Sequence, residues 1–343
     1  MTFTAGDRVT IGPVSNYKSA TMAVNDRVRI NDVIQKPCPN LTVGERVTID
    51  PIGIRRSCAG TGTLGESWFE GICLVGEALY VVDTLNNAIH LHKKSNLSHI
   101  TKYGTLGTGN DQYTTPVGIC ANSTHIFITD TGNNRIVKRL ISDFSYVSEI
   151  GSGGSGNDQF NSPRFICTDG TFIYIADSGN NRIVKRNCSN LAYVSKIGSL
   201  GTGDDQFHGP HGISTDNTNL YITDSVNNRI VKRLCSDLSY ISKIGSIGSG
   251  DDQFNTPLGI CTDNTNVYIM DYSNQRLVKR LCSDLSYVSK IGSSGSGDDQ
   301  FLAPQGICTG GTTLFITDLG NKRLVKRLAA DLSYMGQYLG YCA

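Results

Sequence analysis

Paired aspartates in a recurring glycine-rich loop are the first residues of this sequence that could bind a ligand. Adjacent carboxylates such as Asp251 and Asp252 could hold calcium, but calcium takes six to eight oxygen ligands and the loop lacks EF-hand spacing. We therefore expect a structural turn, with calcium as the one cofactor alternative left open. The loop reads GTGNDQY at 107–113, GSGNDQF at 154–160, GTGDDQF at 201–207, and GSGDDQF at 248–254 and 295–301.

A basic motif, RxxKR, recurs five times and could bind phosphate groups. Its copies supply about half of the 31 Lys and Arg residues. Acids lie near each copy, for example Asp263 and Asp284, so we expect local ion pairs on a solvated rim and no phosphate-binding ring. The copies are Arg135/Lys138/Arg139, Arg182/Lys185/Arg186, Arg229/Lys232/Arg233, Arg276/Lys279/Arg280 and Arg323/Lys326/Arg327.

Histidines are the natural candidates for a metal centre, but their spacing does not favour one. His90 and His92 share one face of a predicted strand, and only His208 and His211 come from one loop. Two histidines fall short of the three protein ligands of a typical catalytic zinc site. CxxC, HExxH, nucleophile-elbow and P-loop motifs are also missing. The sequence therefore predicts no metal site, no catalytic residues and no enzyme.

The elements that carry these residues repeat every 47 residues. The interval is kept without a slip by six aspartates, and each unit contains four short runs rich in Val, Ile and Tyr between turn residues. Four strands repeated six times predict an all-β fold, a six-bladed β-propeller in which each blade is buried against its neighbours. The aspartates are Asp83, Asp130, Asp177, Asp224, Asp271 and Asp318.

The unit GSGDDQFNTPLGICTDNTNVYIMDYSNQRLVKR resembles the NHL repeat, in which a glycine-rich loop and Phe precede Pro-x-Gly-Ile, a strand and Asp-x-x-Asn-x-Arg. The match covers roughly residues 58–340 and implies a six-bladed propeller. It leaves function open, because the family includes RNA-binding domains, lyases, sensor ectodomains and protein-binding platforms. Lyase or hydrolase chemistry at the channel mouth, or RNA binding, is the alternative function. We favour a non-enzymatic binding or assembly module.

Positions where the copies differ indicate where a ligand would bind. The residue between Pro and Gly of the PxG motif enters the innermost strand at the channel mouth, and it reads Glu70, Val117, Arg164, His211, Leu258 and Gln305. Such differences between nearly identical repeats have two interpretations. Exposed positions can change without effect on the protein, or they can differ because they contact an asymmetric ligand. The ligand-binding residues predicted on the second interpretation are Glu70, Arg164, His208, His211 and Gln305.

The first 57 residues have their own period of 19. The units AGDRVTIGPVS, VNDRVRINDVI and VGERVTIDPIG alternate apolar and polar residues as half-buried strands do. They are too small to support a core, so we predict an N-terminal β-repeat arm at 1–57, an NHL-type propeller at 58–343, and oligomer formation or docking through residues 1–56. Short β-repeats before a globular head resemble viral and phage fibres, which implies a virion, tail-fibre or adhesion component.

Charge and hydropathy narrow the partners. Thirty-one basic and 30 acidic residues give a net charge of +1, which does not favour nucleic acid or membrane binding. There is no apolar run of membrane-spanning length and no signal-peptide pattern. We therefore expect a protein made in the cytoplasm, with virion or surface assembly possible in principle, and with a protein or a surface glycan receptor as its partner.

Overall fold

The computed structural model describes residues 67–339 together with four short strands nearer the N-terminus: β1 (Val9–Ile11), β2 (Val28–Ile30), β3 (Arg46–Asp50) and β4 (Gly53–Ser57). β1 and β2 pair in parallel with Val9 opposite Val28, which is the 19-residue interval of the sequence, and β3 and β4 form an antiparallel pair. The remaining arm residues lie outside the described part, so the domain boundary at residue 57, the fibre resemblance and the assembly role stay predictions.

Residues 67–339 form six four-stranded antiparallel blades in chain order, which confirms the predicted propeller. Two strands of the loop that joins the first blade to the second, β9 (Thr105–Leu106) and β10 (Gln112–Tyr113), form a small parallel pair. No helix in this part is long and apolar enough to cross a membrane. The blades are β5–β8 (Phe69–Val75, Ala78–Asp83, Ala88–Lys93, His99–Tyr103), β11–β14 (Pro116–Ala121, His125–Asp130, Arg135–Leu140, Tyr146–Ile150), β15–β18 (Pro163–Thr168, Phe172–Asp177, Arg182–Asn187, Tyr193–Ile197), β19–β22 (Pro210–Thr215, Asn219–Asp224, Arg229–Leu234, Tyr240–Ile244), β23–β26 (Pro257–Thr262, Asn266–Asp271, Arg276–Leu281, Tyr287–Ile291) and β27–β30 (Pro304–Thr309, Thr313–Asp318, Arg323–Leu328, Tyr334–Leu339).

The first strand of each blade is innermost, and it lies beside the first strand of the next blade, with β27 returning to β5 to close the ring. The approach is so close that a Cβ added to Gly259 would lie 1.9 Å from the carbonyl oxygen of Gln305 in the next blade. The close approach of the neighbouring strand therefore leaves no room for a side chain at Gly259. The Thr317 hydroxyl completes the circle by donating to the carbonyl of Glu70 at 2.9 Å.

The RxxKR side chains are buried inside the blades, so the predicted solvated rim is wrong. In the fifth blade the Arg276 Nε donates to Oδ2 of Asp271 at 2.7 Å, and the guanidinium also holds three carbonyls of the preceding glycine-rich loop. The second arginine, Arg280, pairs with Asp252 of the same loop at 2.5 Å. Its predicted partners were Asp263 and Asp284, but those carboxylates cap local turns instead.

The glycine-rich loop joins the outer strand of one blade to the inner strand of the next, as predicted, and the two arginines clamp it there. Its terminal aromatic side chain is fully buried between blades: Phe254 packs with Tyr221 and Ile230 of the fourth blade and Ile260 of the fifth. Calcium at the paired aspartates would have to displace the Arg280 ion pair. Calcium binding there is otherwise untested.

The lysine of RxxKR joins neighbouring blades. Lys232 Nζ donates to the carbonyls of Cys282 and Ser283 in the next blade at 2.7 and 2.8 Å. Lys232→Met is expected to lower the free energy of unfolding by about 2 kcal/mol, because the buried Cys282 carbonyl and the partly buried Ser283 carbonyl lose their donor. Lys326 is the matched control, since its Nζ makes a single 3.4 Å bond to Ser95. Chemical denaturation of both variants checks this, and equal losses would contradict it.

Candidate functional site

The predicted ligand-binding residues separate into two groups in the structure. Glu70, Arg164, His211 and Gln305 all occupy the second position of an innermost strand, so the ring brings them to one level of the axis. His208 does not join them. It precedes the strand, its side chain is exposed, and its amide donates to Asp224. Two apolar residues, Val117 and Leu258, complete the ring of six.

Arg164 is the electrostatic centre of this axial ring. Its positive charge acts both on Glu70 in the first blade and on His211 in the fourth. The first and fourth of six blades lie opposite each other, and Arg164 comes from the third blade, next to His211. The axial ring therefore carries one cation, one carboxyl group and one imidazole on its inner strands.

Glu70 is a buried carboxyl group with a raised pKa. Its side chain is 6% exposed, and its Oε2 is buried without a hydrogen-bond partner. Burial raises the pKa of Glu70 from 4.5 to about 6, against the opposing effects of the Arg164 charge and the Thr84 hydroxyl. A carboxyl group with a pKa near the working pH can both accept and return a proton.

His211 is held neutral on the opposite side. Burial lowers its pKa from 6.5 to about 3, and the Arg164 charge lowers it further in the same direction. Its Nδ1 is buried and unpartnered, and its ring lies 5.1 Å from the ring of Phe165. A neutral imidazole with an unused ring nitrogen can donate or accept one hydrogen bond. The unsatisfied atoms of Glu70 and His211 are the natural positions for polar groups of a ligand.

Phe165 was missed by the sequence reasoning, although the repeat contains the evidence. It stands where Gly71, Gly118, Gly212, Gly259 and Gly306 stand in the other five blades. A Cβ at each of those glycines would lie between 1.9 and 2.5 Å from a carbonyl of the next blade. The junction after the third blade is therefore built differently from the other five, and it is the junction that Arg164 and His211 share.

A cluster of three histidines was also missed, because the sequence reasoning left out His99. β7 and β8 pair with His92 opposite His99, which adds a third imidazole to His90 and His92. In the other five blades the corresponding positions are Val, Arg and Tyr, so the 47-residue alignment contained the evidence. Within residues 67–339 and β1–β4, no group of three or more His, Cys, Asp and Glu side chains is arranged to hold a metal ion.

Two surface clefts lie away from the axis. One, of about 300 Å³, is lined by Lys185 and Tyr174, and the other, of about 660 Å³, by Arg229 and Lys243. Their charged groups already have partners: Lys185 donates to two carbonyls and Arg229 pairs with Asp224. We therefore place the candidate site at the axial ring, where buried polar atoms lack partners, and not in the clefts.

The pKa of Glu70 predicts a pH-dependent stability difference. A raised folded-state pKa stabilises the protein below 4.5, and this stabilisation is lost as the pH rises through 6. Glu70→Gln mimics the protonated form and does not titrate. The free energy of unfolding of this variant minus that of wild type should therefore increase by about 2 kcal/mol between pH 4.5 and pH 8. Denaturant unfolding across this range measures it, with exposed Glu77→Gln as control. If the stability difference between Glu70→Gln and wild type does not depend on pH, the pKa of the buried Glu70 carboxyl group is not raised.

Comparison with known proteins supports the fold and leaves the family open. No family model matches the chain, and no curated protein matches it. Solved structures similar to it include an inactive histidine-to-alanine variant of virginiamycin B lyase from Staphylococcus aureus with quinupristin, with TM-score 0.54, 17% identity, and coverage of 79% of this chain and 85% of that one. A streptogramin B lyase has TM-score 0.54, 16% identity, and coverage of 80% and 84%. A functionally unknown protein from Desulfotomaculum acetoxidans has TM-score 0.55, 11% identity, and coverage of 87% and 92%.

The prediction that the chain is not an enzyme is contradicted by these neighbours, because two of them are lyases with a similar propeller. The exclusion assumed that a propeller enzyme must show a metal-binding histidine set or a known motif in its sequence. At these identities the similarity concerns the fold alone, and it assigns no reaction to this chain. The virion and adhesion predictions gain no support from the three solved structures.

Proposed function

We propose that this chain is an enzyme-type propeller that binds a small anion at the axial ring and exchanges a proton with it. Arg164 would neutralise the anion, Glu70 would take and return the proton, and His211 and Gln305 would orient the ligand by hydrogen bonding. The observation that carries the proposal is the pair of buried, unpartnered atoms, Glu70 Oε2 and His211 Nδ1, in a ring whose one cation, Arg164, acts electrostatically on both groups.

Other features of the chain agree with this proposal. The resemblance of its repeats to the NHL pattern and the similarity of its fold to two lyases support the proposal, because propellers of this kind include enzymes. Proton abstraction beside a stabilised anion is the common step of eliminations and isomerisations. The axial groups suit that step, because a carboxyl group with a raised pKa and a cation are present together.

Binding is tested first, with a panel of mono-, di- and tricarboxylates, organic phosphates and quinupristin, by the shift in Tm at pH 7.5. At least one anion should raise the Tm of wild type and should lose that effect in Arg164→Gln. Lys94, a half-buried lysine that pairs with Glu77 away from the axial ring, supplies the control, and Lys94→Gln should keep the shift. Shifts retained in Arg164→Gln, or no shift with any compound, would overturn the proposal.

Proton exchange is tested next, by incubating each binding compound in D₂O and measuring deuterium incorporation or a new product by mass spectrometry. Glu70→Gln should still bind but should exchange about 100-fold more slowly or worse, as expected when a general acid–base group is removed. Glu77→Gln, an exposed carboxyl variant, should exchange at the wild-type rate. Undiminished exchange in Glu70→Gln would remove Glu70 from the proposed role.

A further inference from the structure

The first blade lacks the charged groups that lock the other five. In the first blade, Ala88 and His92 occupy the positions of the two arginines of RxxKR, and Leu91 occupies the position of the lysine. Asp83 is the counterpart of the aspartate that binds an arginine in the other blades. In place of that arginine it has Nε2 of His90 at 3.3 Å, beside hydrogen bonds from Trp68 and Asn86. The first blade is therefore held by groups that are neutral above the ordinary pKa of histidine, in place of permanent cations.

Three imidazoles pack together at this place. The ring centroids of His90 and His99, and of His92 and His99, are 5.2 Å apart, and those of His90 and His92 are 6.2 Å apart. His92 Nδ1 lies 3.0 Å from the carbonyl of Leu97, an acceptor that the second arginine uses in other blades. The Nε2 atoms of His92 and His99 are buried without a hydrogen-bond partner, whereas Nε2 of His90 faces Asp83. A proton on His92 or His99 would therefore find no described acceptor at Nε2.

The groups that face the cluster do not compensate three positive charges. Asp83 of β6 faces His90 and could pair with one imidazolium. On β8, Lys102 adds a positive charge that acts on His99. From the last blade, Tyr338 of β30 contributes a neutral ring 5.1 Å from His92. A second and a third proton would therefore meet repulsion between imidazolium groups at about 5 to 6 Å, in a site with little water.

The cluster lies at the junction where the last blade meets the first, and this junction has few polar contacts. The interblade lysine of the last blade, Lys326, makes one 3.4 Å bond to Ser95, whereas Lys232 makes two bonds of 2.7 and 2.8 Å. The Thr317 bond to Glu70 and an apolar cluster that includes Phe69 and Tyr338 complete the closure.

Protonation opposes closure at this junction. Burial lowers the pKa of His92 from 6.5 to about 4, and burial also lowers the pKa of His99. A lowered folded-state pKa means that the stabilisation is complete above 6.5 and is lost as the pH falls towards 4. Exposed rings bind the proton more tightly, so acid shifts the population towards the open form.

We propose that the junction between the sixth and first blades is an acid-labile seam, at which protonation of His92 and His99 opens the ring while the other five junctions stay closed. Because β5 of the first blade also carries Glu70, opening would remove Glu70 from the axial ring. The seam itself does not depend on what the axial ring binds.

Hydrogen exchange of the full chain, resolved by peptide and corrected for intrinsic rates, tests the seam. Between pH 7.5 and pH 5 the opening of peptides spanning 88–103 and 334–339 should increase about 30-fold, which is the effect of His92 alone. Peptides of β20 and β21 should change far less. Equal acceleration in all six blades would show global acid unfolding and overturn the proposal.

Variants identify the groups responsible. The combination His90→Val, His92→Gln, His99→Tyr introduces the residues of the other blades at two positions and a neutral donor at the third, and it should abolish the local acceleration. His211→Gln is the matched control and should keep it. If the triple variant does not fold, the wild-type protein still tests the proposal, because its hydrogen exchange shows whether acid opens this junction alone or all six blades equally. Protection of 88–103 by zinc at pH 7.5, reversed by EDTA, would identify a metal site instead and overturn the seam.

Discussion

Replacing Asp271 with alanine is expected to lower the free energy of unfolding by about 4 kcal/mol, because it leaves a buried arginine without its counter-charge. Asp271 is fully buried and accepts from Arg276 Nε at 2.7 Å, from the Asn274 side chain at 2.8 Å and from the Asn255 amide at 2.7 Å. These bonds join the second strand, the third strand and the incoming loop of one blade, so all three should loosen together.

Asp83 provides the matched control for that experiment, since it occupies the same place in a blade without the arginine. Asp83→Ala should lower the free energy of unfolding by about 2 kcal/mol, because hydrogen bonds are lost but no buried arginine is left unpaired. Denaturant unfolding of both variants at pH 7.5 gives the comparison. A cost for Asp271→Ala no larger than that for Asp83→Ala would mean that the buried ion pair contributes nothing beyond its hydrogen bonds.

Gly259→Ala is expected to destabilise the protein by about 3 kcal/mol, because the added methyl group would overlap backbone that closes the ring. The new Cβ would lie 1.9 Å from the Gln305 carbonyl oxygen, and a backbone atom in a packed strand cannot move aside as a flexible side chain can. The expected result is a lower Tm and a cooperative loss of the junction between the fifth and sixth blades.

Gly153→Ala is the control for overpacking, since a Cβ there would meet only the Asn134 side chain, at 3.8 Å. This loop variant should unfold within about 0.5 kcal/mol of wild type. Calorimetry or denaturant unfolding of the two alanine variants separates the effect of space from the effect of removing a glycine. Similar losses for both would show that the inner strands can move apart to accept a side chain.

The repeating fold could be predicted from the sequence because strands and turns depend mainly on residues that are close together in the chain. A strict 47-residue interval with four β-prone runs fixes strands, turns and blade number, and each blade must bury its faces against identical neighbours. The same alignment predicted that Glu70, Arg164, His211 and Gln305 would share one level of the ring, since equivalent residues of a closed ring lie at equivalent heights. His208 lies in the loop before the strand, as the alignment indicated, and its exposed side chain is separate from the axial ring.

Contacts between residues far apart in the chain were decided only by the tertiary structure. Lys232 meets carbonyls 50 residues ahead, and Arg280 meets an aspartate 28 residues behind, so composition could not tell buried clamps from a solvated rim. The shift in the Glu70 pKa likewise depends on its burial and on Arg164, which is two blades away. The sequence by itself determined which strands form and how many blades they make. The closed ring decided which charges are buried, which are paired and which are left without a partner, because those properties depend on neighbours that strand periodicity does not specify.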